Sequence, residues 1–162
     1  MEHVELWYDL ATTTKEIALI LEDDIIFVPH FRTKLNCAIA EVLGNSHVHS
    51  TFPPMLVIGG CFNFHDERFQ YTDPHAIPLL SIHKQNATRC SHAYFLSSDS
   101  AKTLIQEIKR VKNHFSGADI FLRQLFARST TLFSIWIDPP IAYQRNQIFD
   151  LDQLRVFVNK SY

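Results

Sequence analysis

The chain has little that would staple, bend or anchor it. Glycine occurs only 4 times in 162 residues, so few loops can use the backbone conformations that glycine adopts without strain. Cysteine occurs 3 times, at Cys37, Cys61 and Cys90. An odd number at wide spacings suits neither a disulfide framework nor a zinc-ligand pair, and reduced, mostly buried thiols are expected. No run approaches the roughly 18 apolar residues of a membrane-spanning helix. The opening MEHVELWYDL lacks the basic start and long apolar centre of a signal peptide. Basic residues form no block: 15 Lys and Arg against 17 Asp and Glu leave a net charge of -2, which removes the electrostatic case for nucleic acid. What the chain does have is core-forming material. Phenylalanine occurs 13 times and 46% of residues are hydrophobic, enough for one well-packed domain over residues 1–162.

Hydrophobic periodicity predicts an α/β domain. Val4, Leu6, Trp7, Leu10 and Ala11 are near helical spacing within residues 2–15. Ile17–Leu21 is a short apolar run expected to be a strand buried on both faces. A helix is expected from Phe31 to Leu43, closed by Gly44, then a strand at Met55–Ile58. Residues 62–88 show no period and predict a long surface loop. A strand at His92–Leu96 leads through the cap candidates Ser97, Ser98 and Asp99 into a helix reaching Val111. A helix over Ala118–Ala127 and a strand over Thr131–Ile137 follow, stopped by Asp138-Pro139-Pro140. The tail ends in LRVFV and fits no element clearly. Strands alternating with helices imply a mostly parallel central sheet.

The segment IALILEDDIIFVPHF, Ile17 to Phe31, raises a physical problem. Glu22, Asp23 and Asp24 follow an apolar run that resumes at once with Ile25, Ile26 and Phe27. Ligands of open α/β sheets gather at the carboxyl ends of strands. If the chain stays extended, Glu22 and Asp24 point to one side and Asp23 to the other. Two converging carboxylates need raised pKa values or a cation, and Mn²⁺ or Mg²⁺ would accept such oxygen ligands and share them with a substrate's phosphates. A solvated turn, or the cap of a following helix, is the plainer reading of the same residues.

ALILEDDIIFVPHF strongly resembles the metal-binding segment of glycosyltransferase family 25, which includes bacterial lipooligosaccharide galactosyltransferases and collagen galactosyltransferases. LVIGG at 56–60, CSHAYFLSSDSAKTLI at 90–105, ADIFLRQLF at 118–126 and IDPPIAYQ at 137–144 resemble further segments in the family's order. The resemblance spans roughly residues 1 to 150. It implies a glycosyltransferase A-like sheet flanked by helices, a nucleotide-sugar donor such as UDP-galactose, and inverting transfer to a glycan or protein hydroxyl. By position it implies Glu22 and Asp24 as metal ligands, Asp23 and Tyr94 on the nucleotide-sugar side, and Asp119 as the general base. Gln144 would lie toward the acceptor. Asp119 could equally serve its own helix start, Tyr94 could be core, and His92 is more simply structural than catalytic. His47, His49, His65, His75 and His83 have no ligand-like spacing.

The family's usual first strand and basic, polar stretch precede the acidic motif, whereas Met1 here falls inside the helix before it. The expectation is an N-terminally truncated domain with an exposed sheet edge. Two other classes stand beside a metal-dependent transferase. One is an inactive remnant that binds a glycan or a protein, with that edge open to oligomer formation. The other is a metal-dependent phosphohydrolase, which the lack of a second acidic cluster or phosphate clamp disfavours. A bacterial-type enzyme would face the cytoplasm and a collagen-type enzyme the lumen of the endoplasmic reticulum or Golgi; the sequence does not choose.

Overall fold

The computed structural model describes residues 2–44, 54–60, 79–83, 91–111, 117–138 and 140–145. Cys61, Cys90, His47, His49, most of the 62–88 segment with His65 and His75, and the LRVFV tail lie outside them. The chain begins with α1 (Glu2–Thr12), β1 (Ile17–Leu21), β2 (Ile25–Phe27) and α2 (Phe31–Gly44). It continues with β3 (Met55–Val57), β4 (Leu79–His83), β5 (Ala93–Ser97) and α3 (Ser98–Arg110), and ends with α4 (Ala118–Arg128), β6 (Ser134–Asp138) and β7 (Ala142–Gln144). The result is a mixed α/β fold.

Five strands form a sheet in the order β1-β5-β3-β6-β4, and β2 pairs with β7 beside it. The expected parallel sheet is corrected here: β3 and β6 are parallel, while β1–β5, β5–β3 and β6–β4 are antiparallel. One helix between strands returns the chain parallel. β5 is followed by two helices, α3 and α4, and the second reversal brings β6 back antiparallel. β4 lies within the stretch expected to be loop, where no period marked it.

The sheet separates two cores. On one side Trp7 and Leu10 of α1 and Ala101, Leu104, Ile105 and Ile108 of α3 pack with Leu122, Leu125 and Phe126 of α4 on Ile20, Val57, Tyr94 and Leu96. On the other, Ala38 and Val42 of α2 pack with Leu56, Ile58, Ala93, Ile135, Ile137, Ile141 and Ala142. The element with the fullest set of local signals is α3. Ser97 caps it by accepting from the Ser100 N–H at 3.2 Å, Asp99 lies in its first turn, and Lys109 and Arg110 close its last. These signs match the helix dipole.

β1 departs from expectation. Among the described residues it is an edge strand, and Ile17, Leu19 and Leu21 remain 38–39% exposed instead of buried on both faces. Cys37 also departs: it is a free, exposed thiol on α2, one helical position before the buried Ala38.

Candidate functional site

The apolar run of β1 ends at Leu21, and one more ladder bond follows, from the Glu22 N–H to the His92 carbonyl at 2.9 Å. The chain then turns at Asp23 and Asp24 to enter β2. The extended geometry assumed for the triplet is therefore corrected to a tight turn between two strands. Its far side is held by the Arg145 N–H, which donates to the Asp24 carbonyl at 2.9 Å. Thus the entrance to β5 grips the start of the turn, and the exit from β7 grips its end.

Glu22 is the most heavily engaged of the three acids. Its Oε1 accepts from Ser91 Oγ at 3.4 Å and faces His3 Nε2 at 3.4 Å, while Oε2 accepts from Gln144 Nε2. Three separate parts of the chain thereby fix one carboxylate. Behind it lies a buried chain of polar groups. Trp7 Nε1 donates to the Tyr94 hydroxyl at 2.8 Å, and that hydroxyl is 3.0 Å from His3 Nδ1. An indole N–H can only donate, so the Tyr94 oxygen accepts it, and the Tyr94 proton is then free to go to His3 Nδ1 when that nitrogen is the unprotonated one. In that tautomer the His3 proton is on Nε2, aimed at Glu22. The His3 and Tyr94 rings stack with centroids 5.9 Å apart. Tyr94 is 0% exposed; burial holds its hydroxyl protonated well above the usual range. The Trp7 bond opposes that shift, and the nearby Glu22 and Asp119 charges reinforce it.

Asp24 and His92 show the opposite condition. Asp24 Oδ1 is buried, as are both ring nitrogens of His92, and none has a hydrogen-bond partner among the described residues. Burial pushes the His92 pKa below 6.5; the Ala142 backbone, near the ring but outside hydrogen-bond geometry, and the Asp119 and Asp24 carboxylates act the other way. The imidazole lies against Gly59, where a Cβ would overlap it, just as a Cβ at Gly60 would overlap Pro140. Two of the four glycines thus stand where backbone must approach a ring beside the acidic turn.

Asp119 lies in the first turn of α4, and its carboxylate accepts from the Ser91 N–H. It therefore reaches across to the entrance of β5, and Gly117, at the α4 N-cap, supplies no side-chain cap. Its charge and that of Asp24 both act on His92, and its charge and that of Glu22 both act on Tyr94.

The fold thus gathers Glu22, Asp24, Asp119, Tyr94, His92 and Gln144 from β1, its turn, β5, α4 and β7. Asp23 is exposed on the turn itself, and Tyr94 lies in the core behind Glu22. Among the described residues no three His, Cys, Asp or Glu side chains form a group that could hold a metal alone. Sequence reasoning missed His3, Trp7 and Ser91. A signal for the first two was present: His3 and Trp7 are four apart on α1 and so share a helical face, and their rings meet edge-on at 6.5 Å.

Comparison with known families finds one matching family description, glycosyltransferase family 25 (LPS biosynthesis protein), over residues 1–122. The matched span contains α1, the acidic turn, β5 and Asp119, and stops before Gln144. A search of curated proteins finds no match.

Proposed function

The chain belongs to glycosyltransferase family 25, and from that premise we propose that it moves galactose from UDP-galactose to a glycan or protein hydroxyl at the acidic turn, with Mn²⁺ or Mg²⁺. Sugar transfer in lipopolysaccharide biosynthesis is the activity the family description carries, so a sugar donor and an acceptor are its substrates. The observation that favours a cation is the buried, unpartnered Oδ1 of Asp24. A carboxylate oxygen removed from water without a partner is costly, and a hard cation is a partner of the right chemistry. Such ions often take only one or two protein carboxylates and complete their shell with phosphate oxygens and water, which suits a site whose described residues offer no third ligand. Asp24 would be the principal ligand. Glu22, whose oxygens already accept hydrogen bonds, would be the neighbour that orients toward the same ion, and the exposed Asp23 would lie on the donor side. The cation would neutralise the diphosphate as the nucleotide leaves.

The protein's own groups then have separable tasks. The Trp7–Tyr94–His3 chain fixes the Glu22 carboxylate, so Tyr94 serves the donor side from behind. Asp119, oriented by the Ser91 N–H, accepts the acceptor's hydroxyl proton as that oxygen attacks the anomeric carbon. The bond to the leaving diphosphate breaks on the opposite side, and the configuration inverts. Gln144, bonded to Glu22, lies toward the acceptor.

Calorimetric titration of the whole chain with Mn²⁺ in the presence of UDP tests this reading, alongside galactose transfer measured by mass spectrometry of added acceptors. Uptake that falls about tenfold to a hundredfold in Asp24→Asn, together with a transfer product, is the expected result. No uptake by the wild-type chain would overturn the cation. Uptake without transfer to any acceptor would favour a glycan-binding module instead.

A further inference from the structure

His92 is 1% exposed, and neither of its ring nitrogens has a hydrogen-bond partner among the described residues. Buried polar groups are nearly always paired, so an orphaned imidazole calls for an explanation. The ring is firmly seated. Its Nε2 edge lies closest to where a Cβ on Gly59 would stand. The Gly59 N–H donates to the Ala93 carbonyl at 3.0 Å and the Gly60 N–H to the Ala142 carbonyl at 3.2 Å, so backbone beside the ring is fixed from two strands. The His92 carbonyl accepts from the Glu22 N–H at 2.9 Å, which ties the residue to the acidic turn. The Asp24 and Asp119 carboxylates both act on the ring, and the Ala142 backbone lies near it.

Asp24 Oδ1 is the second orphan at this place. A neutral imidazole has one N–H and one lone pair. A direct bond from that N–H to Oδ1 would satisfy both residues, yet none is formed. A single group that satisfies a carboxylate oxygen and an imidazole lone pair together must present positive character to both. Water can donate to each but leaves the charges of Asp24 and Asp119 uncompensated, whereas a divalent cation answers both needs. Metal-bound imidazoles characteristically turn their other N–H toward a backbone carbonyl or carboxylate, and the Ala142 backbone is the neighbour available for that. Glu22 is less available than His92: its oxygens are taken by Ser91, His3 and Gln144.

We propose that His92 supplies a nitrogen ligand, beside the Asp24 oxygen, to the cation of the acidic turn. Glu22 then acts on the ion through its charge, and diphosphate oxygens and water complete the shell. The assignment rests on the cation reading above and goes beyond it in naming the nitrogen and the metal that it selects. Mg²⁺ is held by oxygen ligands, whereas Mn²⁺ also accepts imidazole, a softer donor. A site built from one carboxylate and one imidazole therefore prefers Mn²⁺ to Mg²⁺.

Pulsed electron paramagnetic resonance of Mn²⁺ bound to the full chain with UDP tests the proposal, because the Mn²⁺ electron spin couples to a directly bound nitrogen. A single nitrogen coupling is expected, altered when histidine alone carries the heavy nitrogen isotope. The chain has 9 histidines, so variants make the assignment: the coupling should vanish in His92→Gln and persist in His3→Gln. Calorimetry should show Mn²⁺ affinity falling about tenfold or more in His92→Gln, with Mg²⁺ affinity changing less than about threefold. His92→Asn repeats the test if glutamine is not accommodated beside Gly59. Mn²⁺ uptake without a histidine coupling, or with one that survives loss of His92, would overturn this inference while the cation reading stands. No uptake by the wild-type chain would overturn both.

Discussion

Tyr94 and His92 lie two residues apart, both are buried, and their surroundings treat them oppositely. Tyr94 is supplied with a donor from Trp7 and an acceptor in His3, so its burial is compensated and it ties α1 to the sheet. His92 has no hydrogen-bond partner among the described residues, and the adjacent acidic turn contains a second orphan, Asp24 Oδ1. The α1 side of β5 is built as a structural core, with polar groups paired off inside it. The end of β5 facing Asp24 keeps polar groups unpaired, which costs stability. Unpaired buried groups are tolerated where a ligand or reaction uses them, and the acidic turn is where the family's chemistry is expected.

Asp119→Asn probes the acidic end most strongly. Asparagine retains a carbonyl oxygen to accept from the Ser91 N–H, so the fold should be kept. If Asp119 is the base, transfer should fall by about a hundredfold to ten-thousandfold; a loss of stability with activity per folded molecule intact would assign Asp119 to structure alone. Gly59→Ala should come next, because the new methyl overlaps the His92 ring. Overpacking of this kind costs about 1–3 kcal/mol, read as a lower urea midpoint, and a midpoint unchanged from wild type would show that the ring can move aside. Tyr94→Phe tests the satisfied core. It strands the Trp7 N–H and should cost about 1–3 kcal/mol, again in the urea midpoint, with little change in fold by circular dichroism.

The smallest effect concerns pH. The pKa of His92 is held below 6.5 in the folded state, so below that pH the unfolded chain binds the extra proton first. The stability associated with neutral His92 is therefore complete above pH 6.5 and declines as pH falls toward the folded-state value. Urea midpoints measured on either side of pH 6.5 should show this slope in the wild type and lose part of it in His92→Gln. An identical slope in both would mean that His92 is not protonation-linked to folding.

Much of this comparison is legible in the sequence. The spacing of Ala101, Leu104, Ile105 and Ile108 gives α3 its inner face, and Ser97 is one of its cap candidates in the sequence. The motif ALILEDDIIFVPHF pointed to the acidic turn and to the family. β2 and β7 were not visible because three-residue strands carry no period to read. One histidine in a helix has no distinctive spacing, and the importance of His3 comes from a contact with Tyr94, 91 residues away.

The sequence by itself determined the order of the four helices and of β1, β3, β5 and β6, the layered α/β character and the crowding of Glu22, Asp23 and Asp24, because local periodicity and covalent adjacency are properties of neighbouring residues. Tertiary structure alone decided the strand directions, the exposure of β1, the meeting of Glu22 with Gln144 and His3, and the contrast between a partnered Tyr94 and an unpartnered His92. Those outcomes depend on which distant segments pack together, and burial and hydrogen-bond satisfaction have no value until they do.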